Sequence, residues 1–403
     1  MAEARDPGFA WRLSAFYVAS FFIVGCYMPF LPVWLRWRGV DDAQIALIYA
    51  VPVFVRAIFT PLMTFMADRT GRPVMLLKWL AWSALLSVLL LPATDGFPQI
   101  FAVILLFTLF WMSVIPLTDA VALTGARNGK ADYGRMRLWG SFSYIAMTVG
   151  AGAAVGLWGP VAALWSFVAA AVSVVVTVYV LPDVKPVAGD GLPLPKLRLA
   201  DLGQLVGSPM VWLFLAATSA IQAAHAVYYI FGTLNWQADG ISPTVIGALW
   251  GIGVIAEIVL FGYGALVSRY FGPAQLLVLA GGAAVLRWTI TAYAPPLPVL
   301  FLTQTLHGLT FGAAHLGAMQ FMSKALPERL AASAQGLYAS VTAGVVMGSA
   351  SLAAGPLYRN FGGGAYLAMA VLASVGLAAS ILLQRRWRGG LILTPIARAV
   401  PAE

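Results

Sequence analysis

The sequence predicts an all-α membrane protein with twelve transmembrane helices in two pseudo-symmetric bundles of six. The first observation is composition, because the 403 residues are 61% hydrophobic and 10% charged, with a mean hydropathy of +0.86. The second is length, because a spanning helix needs about 20 apolar residues and twelve such helices fill nearly the whole chain. The third is an internal repeat. Lipid must therefore be the solvent for most of this protein's surface.

Apolar runs separated by short polar turns define the spans. The first run is too long for the apolar core of a cleavable signal peptide and leads directly into a second span. The predicted spans are 9–36, 43–66, 74–93, 99–126, 132–157, 160–182, 209–235, 243–268, 274–293, 297–323, 333–358 and 363–384.

The longest polar interval, 183–208, divides six spans from six. We therefore expect an N-terminal six-helix bundle at 1–184, a cytoplasmic linker at 185–208, and a C-terminal six-helix bundle with a basic tail at 209–403. The repeat supports two related bundles, which suit a carrier that exposes a central site to each side by rocking one half on the other. The residues Arg69, Pro73, Leu76 and Leu77 recur 200 positions later as Arg269, Pro273, Leu276 and Leu277.

The net charge of +9 does not indicate a nucleic-acid partner. Most basic residues lie in loops between apolar runs, where they fix the orientation of a membrane protein. Most of them fall on the side of both termini, whereas Arg36, Arg38 and Arg359 fall on the other side. We therefore expect a multi-pass protein of a bacterial-type inner membrane with both termini in the cytoplasm. The single cysteine, Cys26, excludes an intramolecular disulfide and a cysteine-based metal site, and we expect no cofactor and no metal.

The segment MADRTGRP at 66–73 joins the second and third spans. It resembles the signature loop of the major facilitator superfamily, which implies the major facilitator fold and a gating role for Asp68, Arg69, Gly71 and Arg72. Gly71 permits a tight turn, and the charged side chains can bond to helix ends in one conformer and release them in another. The alternative is a charged turn that only anchors topology. The repeat copy at 268–272 lacks the aspartate.

Three further segments are similar to the lactose permease group and, more closely, to the 3-phenylpropionic acid transporter family. They are DYGRMRLWGS at 132–141, HAVYY at 225–229 and LHGLTFGAAH at 306–315. The resemblance implies import by a monomer that contacts membrane lipid and a small-molecule substrate. It defines architecture better than substrate.

Ionisable residues inside spans are costly in lipid and are functional candidates. Asp119 ends the fourth span about two turns before its loop and Arg137 begins the fifth about as far after it, so the two can pair. The lactose permease resemblance implies that they bind substrate, with Tyr144 where that group has a sugar-stacking tryptophan. The alternative is a structural ion pair between two helices.

In the second half, Glu257, Arg287 and His307 lie at similar depth on the eighth, ninth and tenth spans. We hypothesise that Glu257 carries a coupling proton, that His307 assists, and that Arg287 controls the release of the proton. The resemblance agrees, because the lactose permease group uses an acid, an arginine and a histidine in this order. Its proton-carrying glutamate, however, is replaced here by Thr310. The alternative is a Glu-Arg pair that only packs.

Three other polar side chains lie within spans. His225 and His315 are candidate substrate contacts or interhelix hydrogen-bonding residues, and His315 could line a polar cavity with Gln304 and Gln320. Arg56 cannot lose its proton, so it requires an anion, either a protein acid or a substrate carboxylate.

The sequence favours a proton-driven symporter for a small organic solute. Arginines outnumber sugar-stacking groups in the expected cavity, which favours an aromatic carboxylate, and the resemblance suggests a 3-phenylpropionate-like one. A sugar or nucleoside proton symporter is the close alternative, and a non-transporting sensor on a carrier fold is the third. An enzyme is not expected, because the sequence contains no HExxH, GxSxG or CxxC motif.

Overall fold

The computed structural model describes residues 7–127, 131–182, 199–327 and 330–393, which are almost entirely helical. The α-helices are α1 (Pro7–Trp37), α2 (Asp42–Thr70), α3 (Pro73–Leu90), α4 (Gly96–Trp111), α5 (Val114–Arg127), α6 (Tyr133–Trp158), α7 (Val161–Val178), α8 (Leu199–Gly207), α9 (Pro209–Ala223), α10 (Ala226–Ala238), α11 (Pro243–Gly262), α12 (Gly264–Tyr270), α13 (Pro273–Ala292), α14 (Leu297–Thr305), α15 (Ala314–Ala325), α16 (Ala331–Tyr338), α17 (Met347–Phe361) and α18 (Ala365–Arg386). Two π-helical segments, Gly308–Ala313 and Ala339–Val346, join α14 to α15 and α16 to α17, and 3-10 turns cover Leu91–Ala93 and Gly362–Gly364.

Broken helices reconcile these elements with the predicted spans. The pairs α4 and α5, α9 and α10, α11 and α12, α14 and α15, and α16 and α17 each form one span, while α8 lies in the predicted linker. By length and composition, nine helical stretches in the described ranges can cross a membrane. The longest, Ser333–Arg386, is interrupted at Gly362–Gly364 and holds the last two predicted spans. The remaining two predicted spans are α2 and the pair α14 and α15.

Local sequence explains where helices break and turn. Pro116 has no amide to donate to the carbonyl of Met112, and the break between α4 and α5 falls at Met112 and Ser113. The predicted tight turn at Gly71 is confirmed, because this residue has φ +62° and its amide donates to the carbonyl of Ala67. Pro73 and Pro273 each occupy the first turn of a helix, α3 and α13, so the repeat matches equivalent structure.

The outer surface of the bundle is apolar. Large hydrophobic side chains such as Trp79, Val176, Leu302 and Val371 are more than half exposed. A water-soluble protein rarely exposes so much contiguous apolar surface. This surface fits a protein whose outer helices face lipid.

The two halves contact each other through α6 on α11, α2 on α17 and α1 on α10. We call the side on which α1 begins and α18 ends the terminal side. Successive spans alternate in direction, so the end of α6 and the start of α11 lie on the opposite side. There Gly152 and Gly247 let backbones meet, because a Cβ on Gly152 would lie 2.3 Å from the oxygen of Pro243 and one on Gly247 would lie 2.1 Å from the oxygen of Thr148. The halves are therefore in close contact on the opposite side.

The predicted linker 185–208 is described only in part. Residues 183–198 lie outside the described residues, and 199–207 form α8. A polar interval in the sequence did not reveal this short helix.

Candidate functional site

A central cavity of about 330 Å³ lies between the two halves. It is lined by Phe21, Val24, Met28, Arg137, Ser141 and Tyr144 of the first half, and by Tyr228, Tyr229, Trp250, Val254, Glu257, His307 and Phe311 of the second. Four of the predicted site residues, Arg137, Tyr144, Glu257 and His307, thus share one chamber. Its walls are mainly aromatic and aliphatic, with one cation and one acid facing the same space.

Glycines bring His307 against α11. A Cβ on Gly308 would lie 2.8 Å from the oxygen of Ala256, and Gly253 lies directly against the His307 side chain. This close approach puts His307 Nε2 3.7 Å from Glu257 Oε2. A small residue on each helix therefore creates the contact between the acid and the histidine.

Arg287 is fully buried behind His307 and donates three hydrogen bonds. Its Nη1 lies 3.1 Å from His307 Nδ1 and 3.1 Å from Thr310 Oγ1, and its Nη2 lies 2.8 Å from Gln304 Oε1. The guanidinium also packs over the rings of Tyr228 and Trp288, at 4.7 and 4.5 Å from their centroids. It makes no ion pair with any carboxylate in the described part of the chain.

These contacts fix the arrangement of protons. Arginine can only donate, so His307 Nδ1 accepts and the ring proton lies on Nε2, towards Glu257. His225 Nδ1 faces the backbone oxygens of Ile221 and Gln222, which can only accept, so Nδ1 carries its proton. Its Nε2, 3.1 Å from Thr310 Oγ1, is then free to accept from that hydroxyl. A continuous line of hydrogen bonds runs from His307 through Arg287 and Thr310 to His225.

In the sequence, Thr310 stands out only because it replaces the proton-carrying glutamate of the lactose permease group. The structure makes it the junction between Arg287 and His225. Its signal in the sequence was its spacing, because a polar residue three positions after His307 lies on nearly the same face of the helix.

The predicted direct pair of Asp119 and Arg137 is not formed in this structure. Tyr17 is fully buried on α1, and its hydroxyl donates to Asp119 Oδ1 at 2.5 Å. The Arg137 guanidinium instead lies over the ring of Phe21, 4.0 Å from its centroid, and 5.6 Å from that of Tyr17. Tyr17, on a third helix, thus bonds to the Asp119 carboxylate, and Arg137 lines the cavity.

Replacing Tyr17 by phenylalanine should destabilise the first half. A hydrogen bond to a charged group contributes about 1.5–3 kcal/mol, and the Tyr17→Phe variant removes the bond that Tyr17 donates to Asp119. We expect a lower midpoint in fluorescence-detected thermal unfolding of the purified protein. Tyr263→Phe is the control, because Tyr263 is 63% exposed. Equal midpoints for the two variants would contradict this role for Tyr17.

The remaining predicted contacts lie away from the central cavity. His225 is fully buried behind Tyr228 and Tyr229, which do line it. His315 lies between the rings of Phe311 and Phe261. Gln304 and Gln320, which the sequence suggested could line a polar cavity with His315, are instead hydrogen-bonded to Arg287 and Ser268, respectively.

The predicted gating residues lie at the turn between α2 and α3, on the terminal side. Arg69 and Arg72 are exposed there, whereas the side chain of Asp68 lies outside the described residues. Arg56 lines a separate cavity between α2 and the second π-helical segment. In the described ranges, no group of three or more His, Cys, Asp or Glu side chains could hold a metal ion.

Comparison with known proteins agrees with this architecture. A probable 3-phenylpropionic acid transporter of Escherichia coli (strain K12) is 29% identical over 357 residues, which cover 89% of this chain and 93% of that protein. A maltose permease of Geobacillus stearothermophilus is 29% identical over 377 residues, covering 93% and 94%. The crystal structure of the nucleoside transporter NupG superposes with a TM-score of 0.80 at 16% identity, covering 94% of this chain and 98% of that one. At that identity the last likeness concerns the fold.

The model of the MFS_1 like family matches residues 10–368. Together with the two six-helix bundles and the cavity between them, this match assigns the chain to the major facilitator superfamily. Its relatives and structural neighbours are transporters and permeases, so it is not an enzyme. The chain belongs to the MFS_1 like family and is a multi-pass membrane transporter.

Proposed function

We propose that this transporter is a proton-coupled symporter that imports a small organic carboxylate by alternating access. The observation that carries the proposal is a single chamber with Arg137 on one wall and Glu257 on the other. Glu257 contacts His307, which in turn contacts Arg287. No cofactor is needed, because the coupling ion is a proton. The solute and the proton would share one compartment.

The chemistry of the walls favours an aromatic carboxylate. A guanidinium binds a carboxylate through two parallel hydrogen bonds, and Arg137 makes no ion pair with a described acid. Tyr144, Tyr228, Tyr229 and Trp250 offer ring faces for an apolar body. The relative from E. coli supports the same class, because its name gives 3-phenylpropionic acid as its substrate.

Coupling follows from charge. Two carboxylates in one chamber within the membrane repel each other, so a bound solute anion and a protonated Glu257 favour each other. Arg137 is the cation that shares the chamber with Glu257, so its charge favours the ionised form of Glu257 again when the solute carboxylate leaves the guanidinium. Arg287 contacts His307 on the far side from Glu257, and we propose that it acts on the proton only by holding His307 in place. Loading and release of the proton thereby depend on the solute, which is the requirement for symport.

Orientation gives the direction of this conformer. From the distribution of positive loops, we propose that the terminal side faces the cytoplasm of a bacterial-type inner membrane. Close contact between the halves on the opposite side then corresponds to an inward-facing state. We further propose that 1–184 and 209–403 rock as units, that the turn at Asp68, Arg69, Gly71 and Arg72 gates the cytoplasmic side, and that the protein acts as a monomer.

A sugar or nucleoside symporter is the second candidate. The aromatic walls can also stack on a sugar ring or a nucleobase, and one relative is named a maltose permease. Net charge separates the two candidates. At one proton per carboxylate the cycle moves no net charge, whereas at one proton per neutral sugar or nucleoside it moves one positive charge.

The test is uptake into proteoliposomes with an imposed pH gradient, using 3-phenylpropionate, a disaccharide and a nucleoside as competing solutes. We expect 3-phenylpropionate to drive proton entry at an initial rate above that of protein-free vesicles. We expect an imposed membrane potential to leave this rate unchanged. Potential-driven uptake of the disaccharide or the nucleoside would transfer the function to the second candidate. The absence of flux with all three would favour a non-transporting sensor.

A further inference from the structure

A second cavity, which we call the Arg56 cavity, lies between the two halves and shares no lining residue with the central cavity. Its volume is about 230 Å³. It is lined by Val53, Arg56 and Thr60 of α2, by Gly336 of α16, and by Ala339, Ser340, Ala343 and Gly344 of the second π-helical segment. Phe54 of α2 packs on Gly348 of α17 immediately beyond it, towards the opposite side.

Two polar groups face this space without partners among the described residues. Arg56 makes no hydrogen bond or ion pair there, although it lies near the middle of a span. Thr60 lies one turn further along the same face of α2, and its buried hydroxyl also lacks a hydrogen-bond partner. Unpaired polar groups inside a membrane protein are costly and indicate a pathway or a ligand.

The opposite wall of the cavity is irregular in a way that often marks function. Residues 339–346 form a π-helical segment, and such segments are rare and frequently lie at functional sites. The side chains of this segment that line the cavity are small, which makes room for the cavity. The exposed hydroxyl of Ser340 is the polar group that the segment contributes. The cavity thus combines one cation, two hydroxyls and an otherwise apolar lining.

We propose that the Arg56 cavity binds an anionic head group carried on a compact apolar body, with Arg56 as the charge partner and Thr60 as a hydrogen-bond donor. The guanidinium matches a carboxylate or phosphate group. The small volume and apolar lining exclude a bulky polar ligand. The head group belongs either to the transported carboxylate or to an anionic lipid, and only the first of these rests on the function proposed above.

The site can be probed without knowing the transported solute. In a Ser340→Cys variant, the thiol is labelled with an anionic and with a cationic methanethiosulfonate. We expect the ratio of the anionic to the cationic labelling rate to be about ten times higher than in Ser340→Cys with Arg56→Gln, because the guanidinium concentrates anions locally. Ser340→Cys with Arg386→Gln, which neutralises an exposed arginine at the end of α18, should keep the preference. Native Cys26 is 1% exposed and contributes little background. Gln335→Cys, exposed on α16 but outside the lining, should show no dependence on Arg56.

Two protection arms identify the source of the anion. Protection of Ser340→Cys by 3-phenylpropionate in neutral-lipid vesicles indicates the solute, and protection by phosphatidylglycerol without solute indicates a lipid. A charge preference that is independent of Arg56, or an Arg56-dependent preference that neither ligand protects, would overturn the site. Size-exclusion profiles and the Arg56→Lys variant, which should retain part of the preference, control for misfolding. Labelling does not depend on proton coupling, so this result stands apart from the uptake test.

Discussion

Glu257→Gln is expected to abolish proton-driven uptake while leaving solute exchange intact. Glutamine keeps the shape of the side chain and its contact with His307, but it cannot carry a proton. A gradient of one pH unit is worth about 1.4 kcal/mol per proton, or about a tenfold solute ratio. The variant should lose this driving force entirely, because it has no titrating group to couple solute movement to the pH gradient. Exchange should remain, because its halves can still rock with solute bound.

Two assays on proteoliposomes measure this effect. The first is the initial rate of pH-driven uptake, corrected for protein-free vesicles because weak acids cross lipid unaided. The second is exchange of labelled for unlabelled solute without a pH gradient. Asp95→Asn is the matched control, because Asp95 is an exposed acid remote from the cavity, and it should behave like the wild type. Undiminished proton-driven uptake by Glu257→Gln would remove Glu257 from the coupling mechanism.

Gly247→Val is expected to hold the halves apart on the opposite side and to stop transport. The Cβ alone would lie 2.1 Å from the backbone oxygen of Thr148, whereas ordinary contact begins at 3.4 Å. Backbone cannot rotate away as a side chain can, so the interface must open. Overpacking costs about 1–3 kcal/mol, which shifts a two-state equilibrium about 5- to 150-fold towards the state that is open on this side.

Spin labels can report the shift. Leu157→Cys at the end of α6 and Ala238→Cys at the end of α10 are exposed positions on the two halves, and their separation should increase when Gly247→Val is added. Gly262→Val is the control on the same helix, since nothing lies within 4 Å of a Cβ built at that residue. Unchanged label distances and normal uptake in Gly247→Val would show that this contact does not hold the conformer.

The sequence predicted the parts of the fold that depend on local physics. Long apolar runs locate spans because lipid leaves the backbone no alternative to helix. Gly71 and Pro73 locate a turn because glycine readily adopts a positive φ angle and proline fixes its own φ angle. The breaks at Met112 and His225 were missed, because a helix interruption depends on what the freed backbone groups meet in neighbouring helices.

The candidate site was predicted only where depth along a span was sufficient information. Glu257, Arg287 and His307 lie at one depth, and His307 contacts both of the others, but Glu257 and Arg287 form no pair with each other. Asp119 and Arg137 also lie at one depth, yet Tyr17 takes the carboxylate, and spacing on two helices cannot reveal a donor on a third. The Arg56 cavity was equally hidden, because it needs the facing wall of a π-helical segment from the other half.

The orientation of the His307 ring bears on whether the carrier would leak protons. Its unprotonated nitrogen faces Arg287, a group that never gives up a proton, so the proton relay proposed for Glu257 and His307 would stop there. Under that proposal, a proton that enters the relay from the central chamber would return to the same chamber. A relay that opens only to the chamber would not conduct protons across the membrane while the carrier is at rest.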